Sequence, residues 1–90
     1  MKINHAAGRF YARTTGGEAE LLYKLLDDGK TMSMYRTFVP EEERGKGIAE
    51  EMAKVAFGFA KKSGFGVRPD CSYMRHYVEK HKNLPVEIVH

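Results

Sequence analysis

The sequence predicts an α+β protein in which helices lie on a mixed sheet, in the order β-β-β-α-β-α, with one more strand that can be drawn at the end. Three observations carry this expectation. Period-two patterning runs through the first forty residues, and a 3.6-residue period takes over after Gly47. A second helical pattern then follows a short apolar run closed by Pro69.

Each element has its own signal. In "GRFYART", Phe10, Ala12 and Thr14 alternate with Arg9, Tyr11 and Arg13, which is strand periodicity. "TTGGE" is a turn, with Gly16 and Gly17 free to take positive φ. "AELLYKLLDDGKTMSMYRTFV" gives two apolar runs parted by Asp27-Asp28-Gly29-Lys30, a second hairpin turn. "LLYKLL" alone would also suit a helix, but its short, turn-bounded length favours a strand. From Ile48 the pattern is an amphipathic helix. Ile48, Met52, Val55, Ala56, Phe59 and Ala60 share one face, and Phe57 falls on the polar side with the charged residues. Gly64 ends this helix, and Lys61 and Lys62 stand in its last turn, where the macrodipole favours cations. "FGVRP" reads as a strand. "DCSYMRHYVEKH" reads as a helix capped by Asp70 or Ser72, with Tyr73, Met74, Tyr77, Val78 and His81 on one side. "LPVEIVH" supplies the closing strand.

Ninety residues make one domain, 1–90, with a small core. A hydrophobic share of 42% against 30% charged residues suits a compact soluble chain. No apolar run approaches the roughly 18 residues needed to cross a bilayer, and "MKINHAAGRF" lacks the apolar centre of a signal peptide. Cys71 is the single cysteine, which excludes an internal disulfide and a multi-cysteine zinc site. His5, His76, His81 and His90 are scattered without metal-ligand spacing, and most are expected at the surface. A cytoplasmic, reducing setting is therefore expected, with no metal and no membrane partner. The net charge of +3 and pI of about 9.1 are a mild bias toward anionic partners. Basic residues are interleaved with acids and no nucleic-acid motif is present, so a nucleic-acid partner is disfavoured.

The chemistry concentrates in "FVPEEERGKGIAEEM". Two glycines stand at the mouth of the best helix, although each weakens a helix by about 1 kcal/mol relative to alanine. A strand-to-helix turn that needs positive φ accounts for one of them. Two glycines flanked by Arg44 and Lys46 point instead to an anion site, where unpaired helix N–H groups, the dipole and two cations converge. The phosphate loop of nucleotide-binding proteins does not fit, and Glu50 stands where a dinucleotide fingerprint needs its third glycine.

What fits is Arg-x-x-Gly-x-Ala, spelled Arg44-Gly45-Lys46-Gly47-Ile48-Ala49, directly after a strand ending in Val39. This resembles the pyrophosphate-binding signature of the GNAT superfamily of acetyl-CoA-dependent N-acetyltransferases. With "TFVPEEERGKGIA" and the later "VRPDCSY…YVEKH" in order, the chain resembles the minimal, stand-alone branch of that superfamily. That branch carries Val-Pro before the loop and Pro-x-Cys followed by an aromatic. The resemblance covers residues 31–82, and more loosely the whole chain. It implies a mainly antiparallel mixed sheet with two main helices, acetyl-CoA as co-substrate, and an amine acceptor, either a small molecule or a protein lysine or N-terminus.

The resemblance also implies roles. Backbone amides from Gly45 through Ile48 to Ala49, with Arg44 and Lys46, would cradle the CoA pyrophosphate. Thr37, Phe38 and Val39 would pair with the pantetheine arm, and Tyr73 would line the cofactor site. The acetyl group would point between this strand and "FGVRP", next to Cys71. Cys71 could take the acetyl group or assist its transfer, and it reads equally as a small buried hydrophobe. Tyr77, with Tyr73, is a phenol able to donate to the leaving thiolate, although tyrosines at helical spacing commonly just pack. One residue departs from the branch. Arg36 stands where its members carry histidine before the threonine, and arginine cannot accept a proton at neutral pH. The leading reading is an N-acetyltransferase, and the alternative is a non-catalytic CoA- or acyl-CoA-binding module.

Overall fold

Short turns fold the first half of the chain into an antiparallel meander. A computed structural model describes all residues, Met1–His90. Its strands are β1 (Asn4–Ala6), β2 (Arg9–Thr14), β3 (Gly17–Leu25) and β4 (Thr31–Phe38). A single 3-10 turn at Glu41–Glu43 leads into α1 (Ile48–Ser63), then β5 (Gly66–Pro69) and α2 (Ser72–Lys80). β5 joins β4 in parallel, so the five strands lie in chain order in one mixed, mostly antiparallel sheet. The class and the two helices agree with the sequence, but four strands rather than three precede α1. The missed one, β1, is only three residues long and has no apolar alternation to announce it. The closing strand reduces to one parallel bridge between Val67 and Ile88. "LLYKLL" lies inside β3 or at its end, as a strand. No helix is long and apolar enough to cross a membrane.

Alternation decides which face of the sheet is covered. Phe10, Ala12, Ala19, Leu21, Tyr23, Met32 and Met34 are buried together with Met52, Ala53, Ala56 and Ala60 of α1. The α1 contribution is mostly alanine, so the bulk comes from the sheet and from methionines, whose unbranched side chains fill irregular gaps. The opposite face of β2, β3 and β4 carries a ladder of exposed ion pairs, in which Arg9 meets Glu18 and Glu20 while Arg36 meets Glu20.

The buried arc of α1 is rotated from the one its periodicity suggests. Phe57, expected on the polar side, is only 2% exposed and stacks on Tyr77 of α2, with ring centroids 5.6 Å apart. Val55, expected in the apolar stripe, is 38% exposed. The cause is double coverage: α1 lies on the sheet and also receives α2 along its flank. α2 itself starts from Cys71 and not from a capping Asp70 or Ser72. Asp70 is committed elsewhere, to the Ser33 hydroxyl and the Arg68 guanidinium. Truncating Phe57 to alanine should therefore cost about 3–5 kcal/mol in urea denaturation, and Val55→Ala under about 0.5 kcal/mol. Similar losses for the two would contradict the packing of α2 against α1.

His5, His76 and His90 are exposed, as expected of most of the histidines, but the His5 ring also makes contacts. The His5 ring stacks on Phe10 at 4.1 Å, meets Phe59 edge-on at 4.5 Å, and shares a 2.6 Å hydrogen bond with the Tyr23 hydroxyl. Desolvation in this aromatic box holds its pKa below the usual 6.5. The folded state thus prefers neutral His5, and protonation favours the unfolded chain. The stability involved is complete above the unfolded pKa and is lost as pH falls through the folded one. Melting temperature should drop between about pH 7.5 and pH 5, and drop less in His5→Phe. Parallel pH profiles for the two proteins would exclude His5 as the source.

Candidate functional site

α1 begins with bare backbone donors. Gly45 and Gly47 have φ of +82° and +81°, in the left-handed region that glycine enters freely. A Cβ built on either would meet no atom within 4 Å. The turn therefore requires both glycines, not one, which corrects the sequence-based count. What the turn produces is nonetheless an anion-binding arrangement. No side chain caps α1, and its first backbone bond is the 3.0 Å one from Glu51 N–H to the Gly47 carbonyl. The amides from Gly45 to Glu50 donate to nothing in the chain, at the positive end of the helix dipole.

The two flanking cations are engaged elsewhere. Lys46 Nζ lies 3.1 Å from Glu43 Oε1, and Arg44 Nε donates to the Val39 carbonyl at 3.1 Å. Glu43 is the buried member of the acidic run, at 6% exposure. Its Oε2 also accepts the Thr15 hydroxyl at 3.2 Å and the Gly16 N–H at 3.1 Å. The Lys46 hydrogen bond, ahead of the contacts from Thr15 and Gly16, holds its pKa below the usual carboxylate value in spite of burial. Gly16 has no positive φ. Its reason is proximity, since a Cβ there would sit 3.0 Å from Glu43 Oε2.

Strand β4 outruns its parallel partner. Pairing with β5 ends at Met34 and Pro69, and the last backbone bond is Asp70 N–H to the Met34 carbonyl at 2.9 Å. β4 continues to Phe38 along β3, so residues 35–38 are left without a neighbour on the β5 side. A cleft of about 460 Å³ opens at this end of the strand. Thr37 and Phe38 line it from the end of β4, Val39 from just beyond it, Arg44, Gly45, Gly47, Ile48 and Ala49 from the loop and helix start, and Tyr73 from α2. All of these residues are singled out by the sequence. Glu43 and Glu50 also line the cleft and are not. Three adjacent glutamates, Glu41–Glu43, do not reveal which one turns inward, and Glu50 reads as an ordinary polar-face residue.

Three expected residues stand off the cleft. Lys46 is turned to Glu43. Cys71 is half-buried at the start of α2, with Sγ 3.5 Å from the Thr37 hydroxyl, one side chain behind the lining. Tyr77 is 5% exposed and packed between the helices, and burial raises its pKa. Tyr73 is the phenol that reaches the cleft. Its pKa is pushed up to about 12, first by burial and then by the nearby Glu50 carboxylate, so it stays protonated at neutral pH.

A mixed sheet whose short parallel strand ends beside a glycine-opened helix agrees with the fold that the sequence resemblance implies. Residues 9–87 match the family of GCN5-related N-acetyl-transferases, and the chain belongs to that family. Protein NATD1 of Xenopus tropicalis is 32% identical over 84 residues, covering 89% of this chain and 76% of that protein. Human Protein NATD1 is 30% identical over 84 residues, covering 89% and 74%. The solution structure of a GCN5-like protein from Staphylococcus aureus superposes with a TM-score of 0.79, covering 98% of this chain and 87% of that one. At 21% identity that last likeness speaks for the fold.

The depressed Glu43 carboxyl gives a signed expectation. Its contribution is present above the unfolded value near 4.5 and vanishes as pH falls through the folded value. Glu43→Gln should melt at a lower temperature than the natural protein at pH 7, and the gap should close under acid conditions. A pH-independent gap would show that the charge is not what matters.

Proposed function

We propose that the chain is an acetyl-CoA-dependent N-acetyltransferase acting on an amine, with residues 1–90 as one catalytic domain. The observation that carries this is the cleft itself, with unpaired amides of residues 45–50 at one end and the unpaired edge of β4 at the other. The donors suit a diphosphate and the open strand edge suits an amide-bearing arm, so the residues present fit coenzyme A. Arg44, freed from the Val39 carbonyl, would add charge at the diphosphate. Phe38 and Val39 would offer backbone groups to the arm, with an N–H near Val39 polarising the thioester carbonyl.

Acetyl-CoA supplies an activated acetyl thioester. The amine, once deprotonated, forms the new C–N bond at the acetyl carbon while the C–S bond breaks. Tyr73, protonated at neutral pH, would give its proton to the departing sulfur, a role the sequence offers to Tyr73 and Tyr77 alike. The ammonium loses one proton to solvent before attack, and the second, shed by nitrogen as the amide forms, restores the phenol. Arg36 is occupied with Glu20 at 3.6 Å and takes no proton. Cys71, against Thr37, serves either as an acetyl carrier or as packing behind the thioester.

Gly47→Asp puts a side chain and a negative charge on the amide row, so calorimetry should show CoA affinity reduced at least tenfold. Equal affinities would refute the site. CoA release with an amine, measured in the natural protein and in Cys71→Ala, then divides the readings. Turnover retained in the mutant makes the thiol a bystander. Binding without turnover on any amine leaves the acyl-CoA-binding module, the reading that Arg36 favours.

A further inference from the structure

A second cavity, of about 300 Å³, opens at the corner between β5 and α2 and is lined by Arg68, Pro69, Asp70, Arg75, Val89 and His90. Ser33 lies between Met32 and Met34 on β4, so it faces away from α1, and Asp70 reaches to it on that side. The CoA cleft lies on the helix side, at the start of α1. Cys71 stands between the two, as the neighbour of Asp70 in the chain and in contact with Thr37 of the cleft.

The charges in this cavity are half satisfied. Asp70 Oδ2 accepts both the Ser33 hydroxyl and Arg68 Nε, the latter at 2.7 Å, while Oδ1 accepts nothing from the chain. Burial works against ionisation of Asp70, but the Ser33 and Arg68 contacts outweigh it and keep the carboxyl below its usual range. Arg75, one turn into α2, makes no ion pair within the chain. Asp70 and Arg75 line the same small space, each with hydrogen-bonding capacity that the chain does not use, and the Arg75 charge also acts on Asp70. A guanidinium fork matches a carboxylate, and a carboxylate oxygen matches an ammonium.

Resting on the acetyltransferase reading, we propose that the acceptor is a small amine that also bears a carboxylate, of amino-acid type, received in this cavity. Asp70 Oδ1 takes its ammonium next to Cys71, and Arg75 takes its carboxylate. The site discriminates against polyamines and basic peptides, which would bring surplus positive charge to two arginines.

The test is titration of the isotope-labelled full chain, free and with CoA, by L-glutamate, by spermidine and by glutarate, following backbone amides of residues 68–75. Glutamate should shift these amides, with spermidine and glutarate binding at least tenfold more weakly. Arg75→Glu, at an exposed position, should lose at least tenfold in glutamate affinity while its calorimetric CoA affinity stays unchanged. Absent shifts with glutamate, stronger binding of spermidine, or full affinity in Arg75→Glu would overturn the proposal. Failure of CoA to bind would count against the acetyltransferase reading alone, because the glutamate titration is read in the free protein as well.

Discussion

The carboxylate of Glu43 is the constraint on which the site depends. It joins three pieces of chain: the β2–β3 turn through Thr15 and Gly16, the 3-10 turn, and the glycine loop through Lys46. A buried charge is tolerated only when its lone pairs are used, and removing one partner of such a group is strongly unfavourable. The loop is therefore held against the sheet by a group that the interior will not release uncompensated. With that anchor set, the amides of residues 45–50 have a fixed position and remain available at the helix start. The arrangement also explains why the loop lysine, which looks like an anion ligand in the sequence, is a tether.

The second determinant is the early end of one of two parallel strands. β5 is only four residues long and closes with Pro69, which has no N–H to extend a ladder. The chain turns into α2 at once, and β4 runs on alone to Phe38. The gap does two things. It leaves an open strand edge and sets a cleft beside the helix start on one side of the sheet. It also brings Asp70, Cys71 and Thr37 into a short row that crosses from that side to the other. On the proposed function, two reactants would approach one point from opposite faces, which suits a direct transfer with both held in place.

A narrow core carries this architecture. Small alanines on α1 meet bulky sheet residues, and α2 adds to the core through Met74 and Tyr77. Because α1 is covered from two directions, Phe57 becomes the joint between the helices, and through it the position of Tyr73 is coupled to the packing of α1.

The sequence by itself determined the elements that rest on local physics. Hairpin turns, strand alternation, the glycine-opened helix and its Gly64 stop depend on backbone freedom and side-chain period, and these are local properties. The loop signature likewise named most of the lining of the cleft, because backbone donors at a helix start belong to that segment alone. Only the tertiary structure decided the rest. Which of three glutamates turns inward, whether Lys46 and Arg44 face an anion or the protein, and which of Tyr73 and Tyr77 reaches the cleft are settled by neighbours distant in the chain. The same holds for Phe57 and Val55, whose burial depends on where α2 lies, and for β1, which is a strand only because β2 pairs with it. Asp70 would cap a helix by local rules, but Ser33, Arg68 and the turn into α2 outcompete that role, and tertiary partners win wherever they satisfy a charge better than the local backbone can.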